Sequence, residues 1–311
     1  MISHKSKAKL ARLHCLLAGT AIASLLAVMP ASAAPIDLGG YSGPITIKFQ
    51  DYEAFTGQGG PVPGNQNFGV FEITSITGGG NILYQGPVGT PTTSDPLIVG
   101  VFSGIKVTGT SGSPPTENTY NTGGVFSLYD DTGQKFGVGG IAGQGLGGYT
   151  TGGCVAVDTQ CYNGITNKGY DNILNLMLVP GANSSTTPAT TGTGNGITST
   201  LFAQIAVASP LTGSASGYAD ITGGTDAGQF GRGGETTGAG TAADIFFQDD
   251  FCASASGSCS GPISNWLLGS EDPITAAAVP EPGTLSLAGA GLLGLGFFSW
   301  RQRKRRAHSA G

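Results

Sequence analysis

Apolar and polar residues alternate in short bursts along the middle of the chain: PITIKFQ, FGVFEITSI, LIVGVFSGIKV, GGVFSLYDD, NILNLMLV, LFAQIAVA, GYADIT and ADIFFQ. A period of two sends every second side chain to one face. Each burst is bounded by Gly, Pro, Asn or Asp, so the pattern predicts β-strands joined by turns. No long stretch shows the 3.6-residue spacing of an amphipathic helix. The pattern therefore predicts an all-β ectodomain over residues 35–275, an antiparallel β-sandwich or jelly roll. A β-solenoid would need a regular repeat spacing, which the sequence lacks. Two stretches read as loops rather than core: the glycine-dense Gly137 to Gly153, and Gly181 to Thr200, a Ser/Thr-rich linker or long hairpin loop that would suit O-linked sugar.

The two ends break this pattern. Lys5, Lys7, Lys9 and Arg12 precede the apolar run LLAGTAIASLLAVM, and ASAA follows it with small residues for a signal peptidase to cut after Ala33 or Ala34. Residues 1–34 thus read as a cleaved secretory signal peptide. At the other end, Thr284 to Trp300 is a stretch without a charge, long enough as a helix to cross a bilayer. The basic tail of Arg301, Arg303, Lys304, Arg305 and Arg306 would hold its far side in the cytoplasm, leaving the middle of the chain outside.

Immediately before this C-terminal helix stand Val279, Pro280, Glu281 and Pro282. The order of a Pro-Glu-Pro motif, a short Gly- and Leu-rich apolar helix and an arginine cluster, over residues 279–306, resembles the PEP-CTERM sorting signal of exported Gram-negative bacterial proteins. The resemblance implies that Pro280, Glu281 and Pro282 are recognition residues read by an integral membrane exosortase. It also implies removal of the helix after transient residence in the inner membrane, and delivery to the cell surface or to an exopolysaccharide matrix.

Composition narrows the function of the middle. Glycine supplies 55 of 311 residues, well over twice the usual share of about 7%. Between Asp37 and Asp272 five basic residues face eighteen carboxylates, a net charge of −13 that repels nucleic acid and anionic lipid. His4, His14 and His308 all lie at the ends, so the middle has no histidine for a Ser-His-Asp or Cys-His nucleophile or for the commonest zinc site. Cys15 leaves with the signal peptide, and Cys154, Cys161, Cys252 and Cys259 remain. In an oxidising compartment four cysteines allow three connectivities, and two local bridges, Cys154 with Cys161 and Cys252 with Cys259, are expected. A four-cysteine zinc site would want pairs two to four residues apart.

The densest acidic groups are the pairs Asp130–Asp131 and Asp249–Asp250, expected as solvated turns after strands; Ca²⁺ is the cation they would suit. Neither matches an EF-hand loop, and GGTDAGQFGRGGE lacks the full glycine-rich calcium repeat. GQGLGG has no following helix to meet a phosphate. A glycoside hydrolase needs only two carboxylates about 5 to 10 Å apart, but nothing distinguishes a pair among eighteen. Trp266 is the lone tryptophan of the middle, a poor supply of sugar-stacking platforms. The expectation is a non-enzymatic, disulfide-stapled surface or matrix protein with no catalytic residues and no cofactor. The alternative is a secreted, calcium-dependent sugar-binding module or polysaccharide hydrolase.

Overall fold

A computed structural model describes residues 36, 38, 40–56, 60–86, 97–130, 171–254 and 266–279. The elements are β1 (Gly43–Phe55), β2 (Gln66–Gly78), β3 (Asn81–Gln85), β4 (Ile98–Ser111), β5 (Glu117–Thr122), β6 (Val125–Asp130), β7 (Asp171–Val179), β8 (Thr191–Gly192), β9 (Leu201–Ala208), β10 (Leu211–Gly223), β11 (Glu235–Thr236), β12 (Ala242–Ala243), β13 (Ile245–Cys252) and β14 (Leu268–Ala278), with a 3₁₀ turn at Ala227–Gln229. Each of the eight alternating bursts falls on a strand.

The pairings close into a ring. All are antiparallel: β1 lies between β14 and β2, β2 reaches β4, and β14 leads through β13 to β10. Between β4 and β10 the wall is made of strands laid end to end. β6 pairs with Ile98–Ser103 of β4 and β5 with Lys106–Ser111, in one continuing register. Likewise β7 pairs with Tyr218–Gly223 of β10, and β9 with Leu211–Gly217. β6 meets β7 and β5 meets β9. Counted as walls, the sheet is an eight-stranded up-and-down barrel in which consecutive walls are neighbours and the last strand pairs with the first. The all-β, antiparallel expectation holds, and the facing layers of the expected sandwich are opposite walls of one sheet joined at both edges.

Local chemistry explains the joints. Gly123 and Gly124 separate β5 from β6 with φ of 74° and 113°, a left-handed step that a side chain resists, and a Cβ on Gly124 would strike Leu178. The Ser/Thr-rich stretch is the detour between β7 and β9. It is an ordered excursion: Gly181 and Ala182 donate to the Ser199 carbonyl, and its tip adds β8 to β4. Thr186, Thr187, Thr190, Thr191 and Thr193 remain exposed on it.

Four phenylalanines sit directly opposite glycines across strand pairs: Phe71 faces Gly100, Phe102 faces Gly69, Phe247 faces Gly217 and Phe251 faces Gly213. A Cβ on Gly100 would lie 2.1 Å from the Phe71 ring, so the ring occupies the place a side chain would fill. These four glycines are thus seats for rings inside strands.

Inside, Phe126 stacks on Phe102 at 5.3 Å and meets Phe247 on a distant wall at 6.0 Å, with Phe71 and Phe49 extending the aromatic cluster. Ile36 and Leu38 are buried in the same cluster, and Asp226 Oδ2 accepts the Ile36 amide at 3.0 Å, tying this segment to the barrel. Outward positions include Lys48, Gln50, Gln204, Ser214, Ser216 and Asp250. Apolar inside and polar outside is the reverse of a lipid-facing barrel.

Candidate functional site

The period of two that buries Ile45, Ile47 and Phe49 of β1 continues through Asp51, Glu53 and Phe55, so it carries two carboxylates to the inner face. On β13 the same alternation turns Phe247, Asp249 and Phe251 inward and leaves Asp250 exposed. Asn67 of β2, Thr119 and Asn121 of β5 and Ser270 of β14 join them. These groups form a polar belt across the barrel. On one side of it lies the aromatic cluster, and on the other a smaller one of Phe55, Val107, Ala203, Ile205, Ala215, Phe251 and Leu268.

Most of the belt is bonded internally. Ser270 Oγ donates to Asp51 Oδ1, its cross-strand partner, and Asn121 Nδ2 donates to the Leu201 carbonyl at 3.0 Å. Asn67 Nδ2 donates to Glu53 Oε2, but Asn67 Oδ1 is buried with no hydrogen-bond partner. Burial first, and the negative charge of Asp249 second, push the Glu53 carboxyl up from its ordinary 4.5 to about 8; the Asn67 hydrogen bond opposes them. Glu53 therefore holds its proton at neutral pH. A cavity of about 90 Å³ adjoins the belt, and all eight walls line it. Within it Glu53, Asp249 and Asn67, with Asp51, Thr119 and Asn121, face an otherwise apolar enclosure, which can hold one small molecule by a hydrogen-bonding head and a hydrocarbon body.

The expected site residues fall differently. Asp249 and Asp250 are not a solvated turn: they lie within β13, on opposite faces, and so cannot converge on one ion. Asp130 ends β6, half-buried, and Asp131 lies outside the described residues. Among the described residues no group of three or more His, Cys, Asp or Glu side chains is placed to hold a metal. Trp266 is buried against Phe68 and offers no sugar platform. GGTDAGQFGRGGE is a connection clamped by Asp244, whose carboxylate accepts from the amides of Ile221 and Gly233 and from Arg232 at 2.7 to 3.0 Å. Cys252 is buried and disulfide-bonded at the end of β13, while Cys154, Cys161 and Cys259 lie outside the described residues. So do the signal peptide, the Gly137 to Gly153 loop, Pro280, Glu281, Pro282, the helix expected over 284–300 and the basic tail.

Sequence reasoning missed Asp51, Glu53 and Asn67. The signal was present in KFQDYEAF: the alternation carried past Gln50 puts both acids in phase with Phe49 and Phe55.

Comparison with protein families matches residues 278–305 to the PEP-CTERM protein-sorting motif. No curated protein and no solved structure matches the chain. The chain thus carries a sorting signal of exported proteins, processed by exosortase, and the signal begins at Ala278, the last residue of the strand that closes the barrel.

Proposed function

We propose that this chain, bearing the PEP-CTERM motif as its address, is a non-enzymatic barrel protein of the cell surface or extracellular matrix, delivered by export and by processing of its C-terminal signal. One observation carries this reading: the family match starts where β14 ends, so a cut near Pro280 would detach the motif, helix and basic tail without removing a strand. At the other end, Ile36 is already anchored by Asp226, so a signal peptidase cut after Ala33 or Ala34 also leaves the barrel whole. Water-facing polar walls suit an extracellular life, and association with exopolysaccharide belongs to the same reading. The bridges Cys154–Cys161 and Cys252–Cys259 would staple it in an oxidising compartment.

In this reading Pro280, Glu281 and Pro282 are contacts for the exosortase, the segment 284–300 is a transient membrane anchor, and Arg301, Arg303, Lys304, Arg305 and Arg306 fix its topology. The test is the intact mass of the protein from medium, outer envelope and inner membrane, for wild type and for Pro280→Ala with Glu281→Ala. The wild-type chain is expected outside the inner membrane, beginning near Pro35 and ending near Pro280. The double variant is expected to stay in the inner membrane with its tail to Gly311. Equal surface delivery of both would overturn the reading.

A further inference from the structure

The sorting motif says where the protein goes and nothing about the barrel interior, which is a separate feature of the fold. Six groups of its polar belt line the cavity: Asp51, which accepts from Ser270; Thr119; Asn121, which donates to the Leu201 carbonyl; and Glu53, Asp249 and Asn67. Asn67 is 6% exposed, lines the cavity, and has one side-chain atom in use and the other, Oδ1, without a partner. A buried carbonyl oxygen left so is costly, and a bound donor removes the cost. Beside it, Glu53 and Asp249 from two different walls interact electrostatically across the same space. Everything else around the cavity is chiefly Phe, Leu, Ile and Ala.

These features select a ligand chemistry. The head must donate hydrogen bonds and tolerate or neutralise negative charge, which excludes carboxylates and phosphates. The body must be apolar, which excludes sugars. A bare metal ion would need converging ligands that the described residues do not supply. The size of the space is of the order of an engineered cavity of about 150 Å³ that takes a benzene ring, so the body is a short alkyl chain or a single ring.

We propose that the barrel interior binds a small apolar molecule carrying a primary amine, its ammonium group held by Asn67, Glu53 and Asp249 and its hydrocarbon body by the aromatic and aliphatic walls. The ammonium group supplies the donor that Asn67 Oδ1 lacks and places a positive charge between the two carboxyl groups. Glu53 gives up its proton to solvent as the cation enters, so binding below pH 8 releases a proton. The inference rests on the barrel and stands whether or not the tail is processed.

The experiment is calorimetric titration of the protein purified from producing cells with n-hexylamine, hexan-1-ol and hexanoate, which share one chain length and differ in the head. The amine is expected to bind at least ten-fold tighter than the alcohol, and hexanoate not at all. Glu53→Gln and Asp249→Asn keep side-chain size, and each should cost the amine at least ten-fold and narrow its advantage over the alcohol. Circular dichroism confirms that each variant is folded; if one is not, the other and the wild-type ratio decide. An amine that binds no tighter than the alcohol, binding by hexanoate, or no binding by any of the three would overturn the proposal.

Discussion

Replacing Glu53 by Gln should change how the barrel's stability depends on pH. In the unfolded chain this carboxyl ionises near 4.5, and in the barrel near 8, because burial and the charge of Asp249 both oppose ionisation. Between these values the unfolded state has lost a proton that the folded state still holds. Raising the pH therefore favours unfolding, by up to about 1.4 kcal/mol per pH unit for one site. Stability from this group is fully present below pH 4.5 and is lost as pH rises through 8. Over pH 5 to 8 the ceiling is about 4 kcal/mol, and relaxation of the belt reduces it to about 2 to 3. Gln keeps the shape, donates or accepts in place of the protonated acid, and cannot ionise. Urea unfolding of the ligand-free protein at pH 5, 6, 7 and 8 gives the two curves, and titrating groups that do not interact with Glu53 cancel in their difference. The wild type should lose stability relative to Glu53→Gln as the pH rises. Parallel curves, within 0.5 kcal/mol across the range, would refute the view that Glu53 is held neutral in the interior.

Two further outcomes follow from packing and from the Asp244 clamp. Gly100→Val puts branched methyls where the Phe71 ring lies, and should lower stability by about 1 to 3 kcal/mol in urea melts, with a matching change in the near-ultraviolet aromatic signal. Asp244→Ala orphans the Ile221 and Gly233 amides and leaves Arg232 unpaired, for a loss of about 2 to 4 kcal/mol; Arg232→Gln, at a half-exposed position, should cost about 1 kcal/mol or less in the same melts.

Strands with a clean alternation were legible in the sequence because their inner face is continuously apolar. β5, with ENTYNT, and β14, with LGSEDPITAAA, were not, although β5 completes the wall it shares with β6 and β14 is a wall by itself. β14 is fixed by partners on both sides rather than by its own side chains. Its β13 register runs from Ile245↔Ala276 to Phe247↔Ile274 and resumes at Phe251↔Ser270, past Pro273, which has no amide to give. Ring closure was illegible for a related reason: Gly43 pairs with Ala278, and no local pattern encodes so distant a partner. The belt was half legible. Its acids sit in phase with core residues, yet a carboxylate on a buried face is rare enough that Asp249 reads as part of a solvated turn and Asp51 and Glu53 go unmarked. Glycine misled in the opposite sense, since the seats under Phe71, Phe102, Phe247 and Phe251 carry the same letter as a turn.

The pairing of β14 with β1 also fixes an order of events. Synthesis and translocation present β1 first and β14 last, and the strand that shuts the ring is the one to which the sorting motif is attached. Without Leu268–Ala278 in place, the opposing edges of β1 and β13 lie open, as a sheet with two sticky margins. Under the proposed sorting, a pause at the membrane, with Pro280 two residues beyond Ala278, would give the chain time to zip its final seam before it is let go. On the same proposal, the C-terminal segment would double as a tether for maturation: release that waits for the last strand would deliver a cylinder without edges, whereas premature release would shed an open sheet able to pair with its neighbours.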